Sequence, residues 1–208
     1  RIDASAILVG STARNTWLSG DKDIDIFILL PESFSREELE ETGLRIGREV
    51  AEKYEERWAE HPYIHAWFDG YEVDIVPCFR VSSPVKIKSA VDRTPFHNEY
   101  MMKNIVGLED DVLLLKQFMR AAGVYGAELK IQGFSGYLCE ILIIYYKSFT
   151  GFLKSASDWG YGEVIDVAAH GKYKSKGEEP LVVIDPVDPK RNAAAAVSLD
   201  NFCRIIDA

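Results

Sequence analysis

The sequence predicts an α+β fold, with a mixed sheet and helices over the first 100 residues or so and a mainly helical second half. Two patterns indicate this. Before residue 80, short apolar runs of strand length alternate with turn residues and one helical pattern. After residue 104, two long apolar segments have the length of helices. At 47% apolar and 27% charged residues, the 208-residue chain can build a substantial core.

The chain begins with a predicted strand, a short helix and a second strand. Ala6 to Val9 is a short apolar run that ends at Gly10-Ser11, which is typical of a strand followed by a tight turn. Thr12 to Leu18 is then predicted to be a short helix. Asp23 to Leu30 is predicted to be the second strand, because it is apolar and Pro31 closes it.

A long helix and a hairpin are predicted next. Ser35 to Glu38 has the form of a capping box, and the helix after it is expected to run to about Trp58. Tyr63 to Phe68 and Tyr71 to Val76 have strand composition. They are joined by Asp69-Gly70, a dipeptide that favours a two-residue hairpin turn.

The character of the chain changes between Val81 and Ile105, where we expect the domain boundary. The predicted domains are 1–104 and 105–208, the second of them truncated at its C-terminal side. The elements predicted after the boundary are helices at 108–122 and 134–149, a short strand at 181–184 and a helix that begins at Ser198.

Composition excludes several classes of protein. A net charge of −9 argues against a nucleic-acid coat protein or a membrane-surface protein, although an enzyme with a local basic patch remains open. The longest apolar run, Tyr137 to Tyr146, is shorter than the roughly 20 residues of a membrane span. No signal-peptide pattern is present, and three widely spaced cysteines indicate reduced thiols in a cytoplasm.

The turn at Gly10-Ser11 is the first candidate for a functional site. Backbone N–H groups at the start of a helix, with glycine allowing close approach, can bind phosphate. Arg14, one helical turn later, can add a charge-assisted contact. Such turns are common, so this feature alone does not separate a phosphate site from an ordinary loop.

Three aspartates on predicted strands are the second candidate. Asp23 and Asp25 lie two residues apart, so they share one face of a strand, while Ile24 and its apolar neighbours face the other way. Asp74 lies inside a later strand. Like charges this close favour a cation such as Mg²⁺ between them. Polar strand ends, and a surface position for Asp74, are the alternative interpretation.

The combination is more specific than its parts, because a Gly-Ser turn, a D-x-D strand and a later strand aspartate together form a two-metal site. It resembles the signature of the polymerase-β-like nucleotidyltransferases. Six segments further resemble the archaeal (class I) CCA-adding enzymes, which build the 3′ CCA end of tRNA. These segments are VGSTARNTWLSGDKDIDIF, EHPYIHAWFDGYEVDIVPCF, IKSAVDRTPFH, GVYGAE, GFSGYLCE and DPVDPKRNAAAAVSLDN.

This resemblance implies a palm-like catalytic domain, in which a mixed sheet carries helices on one face, followed by a mainly helical central domain. The family has a helical segment before the first strand and continues well beyond residue 208, so the sequence resembles a fragment. The resemblance also implies site residues. Those expected to hold Mg²⁺ are Asp23, Asp25 and Asp74, and those expected to bind the nucleotide are Gly10, Ser11, Arg14, His97, Lys116, Tyr125 and Arg191.

Each implied nucleotide contact has an alternative interpretation. His97 can be a capping or packing histidine, Lys116 can extend its amine to solvent, and Tyr125, between two glycines, can anchor a loop. Arg191 can belong to a solvated pair with its neighbour Lys190. His61 and His65, near the second carboxylate strand, are interpreted as structural residues.

The function that the resemblance implies is CCA addition to the tRNA 3′ end, in the cytoplasm, from CTP and ATP with Mg²⁺. The family further implies no membrane partner, a full-length protein that can form a homodimer, and a tRNA-binding region largely outside this chain. Three alternatives remain open. They are a poly(A) polymerase or oligoadenylate synthetase, a nucleotide- or RNA-binding module that has lost activity, and a nucleotidyltransferase acting on a small molecule.

Overall fold

The computed structural model describes residues 2–21, 23–171, 173–174 and 177–208. The chain divides into two compact units, one ending at Tyr100 and the other comprising Met101–Ala208. Helix α3, Thr94–Asn104, runs across this division. Each unit is described by itself.

The first unit is a five-stranded mixed sheet with the strand order β1-β2-β5-β4-β3. Strands β2 and β5 are parallel, and the other neighbouring pairs are antiparallel. Its elements before α3 are β1 (Ser5–Val9), α1 (Gly10–Ala13), β2 (Asp23–Pro31), α2 (Arg36–Val50), β3 (Tyr54–Trp58), β4 (Pro62–Phe68), β5 (Tyr71–Arg80) and short 3₁₀ turns at Pro84–Lys86 and Ala90–Arg93.

Apolar side chains pack on both faces of this sheet. On the face that contacts α2, Leu30 and Ile64 belong to a buried cluster with Leu39 of the helix. On the opposite face, Val9, Phe27 and Cys78 form a smaller buried cluster. Side chains alternate between the two faces along a strand, so polar residues at the N-terminal ends of β2 and β5 can lie on the same face as this smaller cluster.

Two predictions about the first unit are wrong in extent. The helix predicted at 12–18 ends at Ala13, because Asn15 has a left-handed backbone (φ 55°) that a helix cannot continue. The long helix ends at Val50, and Tyr54–Trp58 is a strand paired with β4. The Ser35–Glu38 capping box and the other predicted strands are confirmed.

The second unit is mainly helical. Its elements after α3 are α4 (Glu109–Ala121), α5 (Gly136–Tyr146), α6 (Phe149–Ala156), β6 (Glu163–Asp166), β7 (Leu181–Ile184) and α7 (Leu199–Asp207), with β6 and β7 parallel. Helix α5 is central, since its residues from Leu138 to Ile144 are all buried.

The second unit confirms most of the elements predicted for it, at 108–122, 181–184 and from Ser198 onward. The helix predicted at 134–149 is split in two. Lys147 has a left-handed backbone (φ 64°) and ends α5, and the Ser148 side chain caps α6. Within the described residues, no helix is both long and apolar enough to cross a membrane.

Candidate active site

The turn between β1 and α1 lies directly against the carboxylate of Asp25. Val9, the last residue of β1, is the register partner of Asp25 on β2. Gly10 then takes a left-handed backbone (φ 73°), and a Cβ atom at this position would lie 2.1 Å from Asp25 Oδ2. Only glycine fits here, because any other side chain would meet both the backbone strain and the carboxylate. Ser11 follows within α1.

The three aspartates occupy one face of the sheet, and for Asp23 and Asp25 this shared face is as predicted. Asp25 and Asp74 are register partners on the parallel strands β2 and β5, and Asp23 lies two residues before Asp25. The intervening Ile24 packs into the cluster on the opposite face, under α2. The alternation expected from the sequence is therefore confirmed, and it brings carboxylates from two strands to one end of the sheet.

Burial and the neighbouring carboxylates shift the pKa of Asp25 in particular. Burial, together with the neighbouring charges of Asp74 and then Asp23, raises the pKa of Asp25 to about 6, while Arg14 acts in the opposite direction. Burial and the nearby charge of Glu72 also raise the pKa of Asp23. A cation bound here would relieve the repulsion that adds to the effect of burial on both pKa values.

The donor set fits Mg²⁺, which prefers carboxylate oxygens and retains water and phosphate ligands. The side chains do not yet form a closed cage, since no group of three His, Cys, Asp or Glu residues within the described ranges could hold a metal ion as placed. The metal site expected of Asp23, Asp25 and Asp74 is therefore supported by the strand register, while the side chains as placed do not enclose an ion.

Asp74 has a histidine partner that the sequence interpretation missed. His65 Nδ1 lies 2.6 Å from Asp74 Oδ1, and His65 is 3% exposed. Register explains the contact, because β4 and β5 pair antiparallel across Asp69-Gly70 and so place His65 opposite Asp74. Counting back from the two-residue turn would have found this pair in the sequence.

Arg14 and His97 lie near the start of helix α3. Arg14 is buried, and its Nη1 donates to Asn98 Oδ1 at 2.8 Å. Asn98 in turn donates to the Leu8 carbonyl at 3.3 Å, so this part of α3 is tied to β1. His97 is half-buried and lies inside α3 rather than at its cap, which excludes the capping interpretation.

In the second unit, Lys116 and Tyr125 come together at the N-terminus of α5. A Cβ atom on Gly136 would lie 3.0 Å from Tyr125 Oη and 3.4 Å from Lys116 Nζ. Lys116 is 2% exposed, and its Nζ lies 3.5 Å from Glu140 Oε1. The alternative in which Lys116 extends to solvent is therefore wrong.

The guanidinium of Arg191 is held in place by Asp185. Its Nη1 donates to Asp185 Oδ2 at 2.7 Å, and its guanidinium lies 5.8 Å from the ring centre of Tyr137. Asp185 is fully buried and also accepts from the backbone N–H groups of Val187 and Asp188. Since 38% of the Arg191 side chain is exposed, its remaining donors can reach a ligand.

Two domain families match the chain almost end to end. The nucleotidyltransferase domain family matches residues 1–97, and the family described as tRNA nucleotidyltransferase, second domain, matches residues 110–208. The CCA-adding enzyme of Methanosarcina acetivorans is 60% identical over 203 residues, which cover 96% of this chain and 44% of that protein. This chain belongs to the family of archaeal CCA-adding enzymes.

Other members of the CCA-adding family support the same assignment. The enzyme of Archaeoglobus fulgidus is 56% identical over 200 residues, which cover 96% of this chain and 45% of that protein. The chain thus spans less than half the length of these curated relatives.

Solved structures confirm the predicted fold class. The chain is similar to the Cid1 poly(U) polymerase with Mg and 3′-dATP bound (TM-score 0.71, 16% identity, 99% of this chain and 79% of that one). It is also similar to CdnC of E. coli MS115-1 with ATP (TM-score 0.65, 18% identity, 97% and 73%). At these identities the likeness concerns the fold, a polymerase-β-like palm followed by a helical domain.

The raised pKa of Asp25 predicts a pH-dependent stability. Because the folded value of about 6 exceeds the ordinary 3.8, the native state favours protonated Asp25. This stabilisation is complete below pH 3.8 and is lost as the pH rises through 6. Without metal, Asp25→Asn should therefore raise the free energy of unfolding at pH 8 by about 1–2 kcal/mol and change it little at pH 4. Urea unfolding with a chelator at both pH values tests this, and an equal difference at both would contradict it.

Proposed function

We propose that this chain provides the catalytic and central domains of an enzyme that adds or repairs the 3′-terminal CCA of tRNA. CTP and ATP are the donors, and pyrophosphate is released. The observation that carries the proposal is the placement of Asp23, Asp25 and Asp74 on one sheet face against the Gly10 turn. Membership of the CCA-adding family supports tRNA as the acceptor.

In the proposed reaction, the tRNA 3′ hydroxyl attacks the α-phosphorus of the nucleotide in line and pyrophosphate leaves. Bound Mg²⁺ supplies charge neutralisation and activation of the attacking hydroxyl. Asp23 and Asp25 hold the triphosphate side of the site, next to the Gly10-Ser11 backbone and Arg14. Asp74 lies on the acceptor side, which is the side of the attacking tRNA hydroxyl. The protein contributes positioning and electrostatic stabilisation, without a covalent intermediate.

The second unit contributes contacts to the incoming nucleotide in this proposal. Lys116 and Tyr125 bind phosphate oxygens, which is supported by their meeting at the N-terminus of α5, where backbone N–H groups favour anions. Arg191 reads the base, supported by its fixed guanidinium on Asp185. His97 contacts the nucleotide from α3. We place the reaction in a reducing cytoplasm, consistent with three unpaired cysteines.

The decisive experiment uses the full-length protein and a tRNA that lacks its CCA end. The tRNA is incubated with Mg²⁺ and with CTP alone, ATP alone or both, and products are resolved to single nucleotides. The proposal expects two C residues from CTP alone and completion by A when ATP is present. A run of A from ATP alone would instead indicate a poly(A) polymerase, and no addition at all would indicate a binding module.

Lys116→Met should weaken binding of CTP and ATP equally, by about 10- to 100-fold, because a lost charge-assisted bond to phosphate carries no base information. Methionine keeps most of the buried volume. Equilibrium binding of both nucleotides with Mg²⁺ measures the effect, and exposed Lys154→Met, on α6, controls for the loss of a lysine charge elsewhere in the second unit. A loss confined to one nucleotide would reject the phosphate assignment.

A further inference from the structure

The Asp74 carboxylate is held by the side chain of His65. At 2.6 Å, the contact between His65 Nδ1 and Asp74 Oδ1 has the length of a strong charge-assisted hydrogen bond. Since an ionised carboxylate can only accept, the ring nitrogen is the donor.

The surroundings of His65 fix its ring. The imidazole packs edge-on against Trp67, with ring centres 4.7 Å apart, and is almost completely buried. Nε2 lies 3.5 Å from Glu72 Oε2, too far for a good hydrogen bond, and has no hydrogen-bond partner among the described residues. The directional contact of the ring is therefore the one to Asp74.

This contact restricts the orientation of a catalytic carboxylate. The Asp74 side chain is about one-third exposed, so on its own it could rotate between several orientations. A hydrogen bond from a rigid ring to Oδ1 selects one of them. Partners that orient metal-binding carboxylates commonly affect metal affinity and activity, although they touch neither substrate nor metal.

We propose that His65 is a positioning residue for Asp74, whose Nδ1–H holds Oδ1 so that Oδ2 is presented to the acceptor-side cation. The inference rests on the proposed function. It concerns the acceptor side, because the hydrogen bond of His65 is to Asp74 on β5.

Three substitutions in the full-length protein separate positioning from packing. His65→Asn places an amide N–H where Nδ1–H was, His65→Gln places it near the position of Nε2, and His65→Ala provides neither. The Ala and Gln variants should lower kcat about 10- to 100-fold while KM for CTP stays within about threefold. The Asn variant should retain kcat within about threefold of the wild type. A purely structural role would instead order the variants by lost volume, with Gln the least affected.

A measurement independent of activity uses Mn²⁺ titration followed by electron paramagnetic resonance, with Asp74→Asn as the reference for a lost site. The Ala and Gln variants should weaken the site that Asp74→Asn removes by about 10-fold, and the Asn variant should keep it. If wild-type protein adds no CCA, the proposed function fails, and this titration alone decides the role of His65. Equal Mn²⁺ binding by wild type and the Ala variant, or a kcat for the Ala variant within threefold of wild type, overturns the inference.

Discussion

Replacing Asp74 with asparagine in the full-length protein is expected to lower the rate of nucleotide addition by about 10³-fold. The amide keeps the shape of the side chain but removes the charge that supports the acceptor side. Binding of CTP should change far less, because Asp23 and Asp25 still serve the triphosphate. Single-turnover addition of one C to a tRNA substrate, with CTP affinity measured separately, tests both parts.

Glu72→Gln is the matched control for this experiment. Glu72 lies on the same strand and the same face as Asp74, two residues earlier, and it also carries a negative charge that raises the pKa of Asp23. If loss of any negative charge on this face were enough to lower turnover, the two variants would have similar turnover. We expect Glu72→Gln to retain turnover within about threefold, as is usual for a half-exposed surface charge. Near-normal turnover of Asp74→Asn would refute the three-carboxylate mechanism.

Most of the carboxylate site could be predicted from the sequence because it depends on strand periodicity. Two aspartates separated by one isoleucine define a polar and an apolar face wherever the segment forms a strand. The pairing of Asp25 with Asp74 was not predictable in this way, since β2 and β5 lie far apart in the sequence and their parallel register depends on tertiary packing.

Strand β3 and the early end of α1 were missed for the same physical reason, which is that the local sequence gives only a weak signal for either of them. Strand β3 is exposed along its whole length at the edge of the sheet, so it lacks the apolar alternation that identifies half-buried strands. The early end of α1 depends on a left-handed Asn15, a conformation that asparagine tolerates but does not require. Neither feature can be read from composition alone.

The role of His65 as the hydrogen-bond partner of Asp74 was missed for a different reason. Its position follows from the hairpin, but a lone histidine on a strand is usually a packed residue, and only the 2.6 Å contact distinguishes the two roles. The support of Arg191 by Asp185 likewise depends on loop geometry, in which the five residues between them turn the two side chains toward each other. Short-range loops of this kind are specified by backbone hydrogen bonds rather than by periodicity.

The turn at Gly10 leads to the second large expected effect. Gly10→Ala places a methyl group where Asp25 Oδ2 lies, at a nominal distance of 2.1 Å, so the carboxylate must move away from its position beside the turn. We expect nucleotide addition to fall by about 10²-fold or more, since a displacement of about 1 Å at reacting groups can cost this much. The left-handed backbone adds about 1–2 kcal/mol of strain to the folded state.

Gly20→Ala separates the two contributions. Gly20 also has a left-handed backbone (φ 96°), but a Cβ atom there meets nothing within 4 Å. Both variants should therefore lose about 1–2 kcal/mol of unfolding free energy to backbone strain. Only Gly10→Ala should lose nucleotide addition and Mn²⁺ binding, because only its methyl group displaces a carboxylate. Urea unfolding, Mn²⁺ titration and single-turnover kinetics on both variants provide the comparison. Equal loss of activity in the two would mean that backbone strain, and not the approach of the turn to Asp25, governs this part of the site.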